Sequence, residues 1–186
     1  MYRLAPKFYT KTMKKLLFAV AFVATGLANA QSFGLTGGVA VFNAKAEAPG
    51  YSESDSQTGG YVGFFGEFNL DGSLNIAPGI NYLFAEDTNA LQIPVMLKYY
   101  VDPKFNLAFG PQLMFDLAEV PAGMDQYYNR FNFGLALGAG YNFTQAFGVE
   151  ARYGFQLNDH IKGAAKDAGA SAKINTLNVG LNYKFK

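Results

Sequence analysis

The stretch "ALQIPVMLKYYVDPKFNLAFGPQL", Ala90 to Leu113, decides the fold. Every second residue from Leu91 reads Leu, Ile, Val, Leu, Tyr, Val. The interleaved set from Gln92 reads Gln, Pro, Met, Lys, Tyr. The rhythm breaks at Asp102-Pro103-Lys104 and resumes at Phe105 with Phe, Leu, Phe, Pro, Leu at alternate positions. A period of two with one apolar set is the pattern of a β-strand. Two strands joined by a tight turn follow, each with one greasy face. The question they raise is whether that face meets a protein core or lipid.

The same beat continues in both directions. It predicts eight strands at 32–42, 61–70, 74–84, 91–101, 105–117, 130–143, 147–157 and 174–185. All are about ten residues or longer, where a globular strand is typically about 5–6 and a tilted membrane-spanning strand needs about 9–11. The connections alternate in size. Asp71-Gly72-Ser73, Asp102-Pro103-Lys104 and Thr144-Gln145-Ala146 are tight turns. The segments 43–60, 85–90, 118–129 and 158–173 are longer and more polar, and the first of them, with "APGYSESDSQTGG", reads as a solvated loop. Short turns on one rim and long loops on the other are the habit of outer-membrane barrels, with the turns periplasmic. Pro78, Pro94 and Pro111 fall inside strand patterns. Each removes a ladder donor, which predicts local bulges.

The apolar set carries no charge in any of the eight strands. In the sixth it reads Phe131, Phe133, Leu135, Leu137, Ala139, Tyr141, Phe143. Aromatics gather toward strand ends and aliphatics toward the middle, the arrangement of a lipid-facing band between two interfacial girdles. The opposite set is small and polar: Arg130, Asn132, Gly134, Ala136, Gly138, Gly140, Asn142 in the same strand. Its charges across the strands are Glu67, Lys98, Asp116, Arg130, Glu150, Arg152 and Lys184. A water-facing surface would be denser in Lys and Glu. Small residues suit the bore of a narrow cylinder, where charges of opposite sign must neutralise one another. The expected fold is therefore an all-β, eight-stranded antiparallel up-and-down transmembrane barrel. Its lumen network is expected to comprise Glu67, Lys98, Asp116, Arg130, Glu150 and Arg152.

Residues 1–30 read as an address. Lys14 and Lys15 precede the apolar run Leu16–Ala24, and Ala28-Asn29-Ala30 is a small-x-small cleavage site before Gln31. That is a secretory signal peptide, with Met13 a plausible start. Of the 15 basic residues, Arg3, Lys7, Lys11, Lys14 and Lys15 lie in it, with no acid, leaving 10 basic against 14 acidic in 31–186. This negative balance argues against a nucleic-acid partner. There is no cysteine and one histidine, so no disulfide framework is available and a transition-metal site is not expected.

"LQIPVMLKYYVDPKFNLAFGPQL", the Gly-rich "FNFGLALGAGYNF" and the closing "LNVGLNYKF" together resemble the PorT-like small outer-membrane β-barrel family of Gram-negative bacteria. The resemblance covers essentially all of 31–186. It implies a barrel set in outer-membrane lipid by the barrel-assembly machinery, which recognises a terminal aromatic; here Lys186 follows Phe185. It also implies a link, in some members, to protein secretion.

No catalytic constellation stands out. His160, in Asn158-Asp159-His160, has only Ser171 in its own segment as a candidate nucleophile, and no spacing ties the two. It is expected to be a solvated loop residue. Neither enzyme activity nor a cofactor is expected. The functional expectation is a structural, adhesion or secretion-accessory barrel with a filled lumen, whose loops meet an extracellular or secretion-system protein. The alternatives are a narrow channel for small or hydrophobic solutes and a soluble, lipocalin-like periplasmic binder.

Overall fold

The computed structural model describes residues 31–86, 88–117, 127–167 and 169–185. The signal-peptide reading of residues 1–30 lies outside them, as does most of the segment read as the third long loop. Eight strands close into one antiparallel barrel in chain order: β1 (Ser32–Ala48), β2 (Tyr51–Asp71), β3 (Leu74–Phe84), β4 (Asn89–Tyr100), β5 (Phe105–Asp116), β6 (Phe131–Asn142), β7 (Phe147–Gln156) and β8 (Ser171–Phe185). A one-turn helix, α1 (Ala164–Asp167), sits in the last connection. Closure is made by β1 on β8, from Phe33–Phe185 to Glu47–Ser171.

The faces fall as the alternation requires. In β6, Phe133, Leu135 and Leu137 are about half exposed at 47%, 50% and 56%, while Ala136 between them is fully buried. An apolar set that points out of the cylinder is the inverse of a soluble ligand-binding barrel, so the lipocalin-like alternative is set aside. Aromatics cluster at two heights. Near the turn rim, Phe33 packs on Phe185, Phe147 on Tyr183, and Tyr141 on Phe143. Near the loop rim, Tyr82 stacks on Phe84, Phe115 meets Phe131 at a tilt, and Tyr153 meets Phe155 edge-on. Between them the exposed residues include Val39, Leu107, Leu135, Leu137, Val179 and Leu181, with Phe109 the aromatic exception.

Three expectations need correction. First, residues 43–60 are not a loop. β1 and β2 stay paired to Ala48–Tyr51 around a turn at Pro49-Gly50, where Gly50 has φ 78°. Proline followed by a left-handed residue is the chemistry of a type II turn. β8 likewise starts at Ser171, so a three-stranded sheet rises above the rest of the wall. Residues 44–48 and 51–56 are exposed on both of its faces.

Second, the prolines cause no bulges. The pairing of β3 with β4 lapses beside Pro94, between Pro78–Val95 and Asn81–Gln92, and resumes in the same register. The β4–β5 ladder lapses beside Pro111, and the β2–β3 ladder beside Pro78, again without a slip. Each proline turns its missing donor toward the preceding strand and keeps its place. The β2–β3 ladder does shift register at Asn69/Asp71, next to the Gly72 turn.

Third, the bore is not uniformly small and polar. Phe42, Tyr61, Leu83, Ala90 and Met114 form an apolar layer with Ala40, and Met96 packs on Ala77, Ala108 and Ala136 lower down.

Candidate functional site

The inward set stacks as layers along the bore. Nearest the turn rim, Lys184 Nζ lies 3.0 Å from Glu67 Oε2. The Tyr100 hydroxyl and Asn75 Nδ2 each donate to Glu67 Oε1 at 2.6 Å. One turn of the wall higher, Lys98 Nζ donates to Glu150 Oε2 at 2.8 Å and Arg152 Nη1 to Glu150 Oε1 at 3.2 Å. Lys98 also sits over the Phe65 ring, 5.6 Å from its centroid.

An amide layer follows. Gln92 Oε1 accepts from Arg152 Nη2 at 3.2 Å and from Asn178 Nδ2 at 3.1 Å, while Gln92 Nε2 donates to Thr176 Oγ1 at 3.3 Å. With its carboxamide oxygen turned to Arg152, Asn81 accepts a further bond at 2.8 Å. Gln92, Asn81, Asn178 and Thr176 are all almost wholly buried. Buried polar groups are tolerable only when paired in this way. The glycines of the bore make room for them: a Cβ on Gly154 would come 2.4 Å from Gln112 Nε2 and 2.9 Å from Thr176 Oγ1.

Four of the six residues predicted for the network, Glu67, Lys98, Glu150 and Arg152, therefore fall in the lower half of the bore, where Lys184 joins them. The other two do not. Asp116 and Arg130 sit at the loop rim, joined by a backbone bond from Asp116 N to Arg130 O at 2.8 Å.

There the structure adds a residue that sequence reasoning misjudged. His160 is not solvated but 5% exposed. Gln156 Nε2 lies 3.2 Å from its Nδ1, Asn132 Nδ2 3.4 Å from its Nε2, and Asp116 Oδ2 3.5 Å from Nε2. Backbone bonds from Asn129 N to His160 O (2.7 Å) and from His160 N to Ala172 O (2.8 Å) pull this segment over the mouth. The signal that could have shown it is Ile161, an apolar residue in a polar stretch that forms a bridge with Tyr128.

Two spaces of very different size open along the bore. A funnel of about 800 Å³ opens at the turn rim, bordered by Glu67, Asn75, Tyr100, Lys104 and Lys184. Midway up, the gap among Phe65, Met96, Lys98, Glu150 and Arg152 is about 20 Å³. That holds roughly one water. Among the described residues no group of three His, Cys, Asp or Glu stands close enough to hold a metal ion.

A closed eight-stranded cylinder with a lipid-facing apolar band, two aromatic girdles and a packed polar bore defines a small integral β-barrel of the outer membrane. Comparison with known proteins agrees: residues 85–162, β4 through β7, match the family model for the outer membrane protein beta-barrel domain. None of the curated proteins matches in sequence. Among solved structures, Neisserial surface protein A superposes with a TM-score of 0.50 at 16% identity, covering 82% of this chain and 97% of its own. Ail, the attachment invasion locus protein of Yersinia pestis, gives 0.45 at 16% identity, with 83% and 98% covered. OprG from Pseudomonas aeruginosa gives 0.42 at 17%, with 84% and 96% covered. The Neisserial match supports the fold, and the family model over β4 to β7, with the lipid-facing band, supports the place in the outer membrane; none of these matches distinguishes the PorT-like label from the broader domain.

Proposed function

We propose that this barrel is a non-enzymatic surface protein, a plugged cylinder that holds a three-stranded sheet above the outer leaflet for adhesion or structural work. The observation that carries the reading is the mid-bore gap of about 20 Å³, walled by the Glu150 ion network itself, with the Phe42–Tyr61–Leu83–Met114 layer filling the bore nearer the loop rim. A wall this well filled leaves no water column for ions. Among the described residues, the extended β1–β2 hairpin is then the part best placed to meet a partner. Single-protein recordings in planar bilayers test the plug: the expectation is no stable open level, and porin-sized steps would overturn it. Joining Asn43 to Ser56, which are ladder partners, through a two-residue Asn-Gly turn removes the hairpin tip and leaves the wall intact. Cells bearing that variant are expected to lose attachment to surfaces the wild type binds.

A second reading has its own support. The funnel of about 800 Å³ at the turn rim is open and carries charged groups, Glu67, Lys104 and Lys184 among them, which favours a narrow passage or a periplasmic docking mouth. The resemblance to PorT-like barrels points that mouth toward secretion components, and insertion toward the barrel-assembly machinery. Liposome swelling with small solutes separates passage from plug, and crosslinking from Lys104 or Thr144 reports any periplasmic partner.

A further inference from the structure

Two lysines face each other in the sheet above the wall. Lys45 of β1 and Lys173 of β8 are direct ladder partners. Like charges directly opposite are unfavourable in an antiparallel pair. Both side chains are exposed, and both lie on the face that continues the lipid-facing set: Val41–Leu177 is the last apolar pair, followed by Asn43–Asn175, then Lys45–Lys173. Ser54 lies opposite Lys45 on the other side, so hydroxyl, ammonium and ammonium form a row across three strands. The next row down adds Asn43, Asn175 and Ser56, whose hydroxyl donates to Asn43 Oδ1 at 2.9 Å.

The height of this patch matters. Two further rows are about 13 Å along the strand, or about 10 Å along the membrane normal at a tilt near 40°. A lysine stem can reach back from there to the polar boundary of the leaflet. Glu47 lies one row farther from the membrane. It pairs with Lys45, and Lys45, with Lys173 and Ser171 close by, holds its carboxyl below the usual carboxylate range. It therefore draws charge upward, away from the leaflet, and competes for Lys45.

We infer that Lys45 and Lys173, framed by Ser54 and Asn175, bind the phosphate of an anionic lipid headgroup in the outer leaflet. The ligand chemistry is a phosphate monoester or diester held by two ammoniums and neighbouring hydroxyl and amide donors. A basic patch on the outward face at this height has the headgroup layer as its neighbour, which favours the lipid over an anion free in solution. Such a contact would fix the rotation and depth of the barrel beneath the displayed sheet.

The test uses the folded barrel in nanodiscs, with bisphosphorylated lipid A as probe and native mass spectrometry as readout. Retention is compared for wild type, the Lys45→Gln/Lys173→Gln double variant and Glu47→Gln. Heat-dependent gel mobility confirms that each is folded, since all three positions are exposed. The double variant is expected to weaken retention about 25-fold, about fivefold for each lysine. Glu47→Gln is expected to strengthen it. Enzymatically dephosphorylated lipid A should not be retained by any of them. Equal retention by the double variant, or equal retention of the dephosphorylated lipid, overturns the inference. Displacement of lipid A by an equimolar amount of inorganic phosphate would overturn it too, by showing a site for a free anion.

Discussion

Removing the carboxylate at Glu150 tests the logic of the filled bore most directly. Glu150 lies between two cations whose side chains are 7% and 8% exposed, Lys98 and Arg152, and is itself 12% exposed. Glu150→Gln keeps the shape but takes away the charge that makes both cations tolerable. Removing one partner of a buried pair costs about 3–5 kcal/mol, because an uncompensated ion remains. Arg152 keeps Gln92 and, at 2.8 Å, Asn81, whereas Lys98 exchanges its 2.8 Å carboxylate bond for at best a neutral amide oxygen and keeps the Phe65 face and the attraction of Glu67. The lower end of that range, about 3 kcal/mol, is therefore expected. Adding Lys98→Met should recover most of it, since an apolar residue of similar length replaces the stranded ammonium. The double variant is expected within about 1.5 kcal/mol of wild type, a coupling of at least about 1.5 kcal/mol between the two sites. The assay is reversible urea unfolding in lipid vesicles, read by tyrosine fluorescence and gel mobility. A Glu150→Gln cost below about 1 kcal/mol, or no rescue by Lys98→Met, would refute the view that these ions are desolvated and mutually dependent.

Other outcomes follow from the same geometry. Leu135→Arg, on the lipid-facing band, should cost about 2–4 kcal/mol in vesicles, measured by the same urea titration. Ala136→Lys, one residue along but wholly buried in the bore, should overfill the Ala77–Met96–Ala108 layer and block folding, seen as loss of the fast-migrating gel band; full stability would mean that this face looks onto water. His160→Ala removes the side-chain contacts to Gln156, Asn132 and Asp116 but keeps the backbone bonds of residue 160, so the segment should loosen rather than detach, and limited proteolysis of intact cells should cut near residue 160 sooner while the wall's unfolding midpoint stays nearly unchanged.

The wall was legible because each spanning strand lies between two unlike surroundings. Lipid on one side and a crowded bore on the other impose a strict period of two, and the strands from β3 to β7 land within about two residues of their expected ends. The protruding sheet escaped because its β1 and β2 strands are exposed on both faces, so apolar residues do not mark their rhythm. The rhythm was still present in another alphabet: Ala44, Ala46 and Ala48 alternate with Lys45 and Glu47, and Ser52, Ser54 and Ser56 with Glu53 and Asp55, on either side of Pro49-Gly50. Four of the six network residues could be grouped from their shared face. Their split from Asp116 and Arg130 could not, because height along the bore depends on stagger between strands, which one strand's sequence does not contain. His160 was misjudged for a related reason: whether a polar segment hangs free or folds back over the mouth depends on partners such as Asn132 and Gln156, distant in sequence.

The seam where the chain's two ends meet has a consequence for how such a cylinder comes apart. In an open sheet, terminal strands are where unravelling starts. Here the β1–β8 junction runs the length of the wall and on into the displayed sheet, while the proline-bearing strands leave gaps in three successive junctions from β2 to β5. Mechanical or thermal splitting should thus nucleate on the far side of the tube from its ends. Backbone amides flanking Pro78, Pro94 and Pro111 would then trade their protons for deuterium sooner than those of Leu35 or Tyr183.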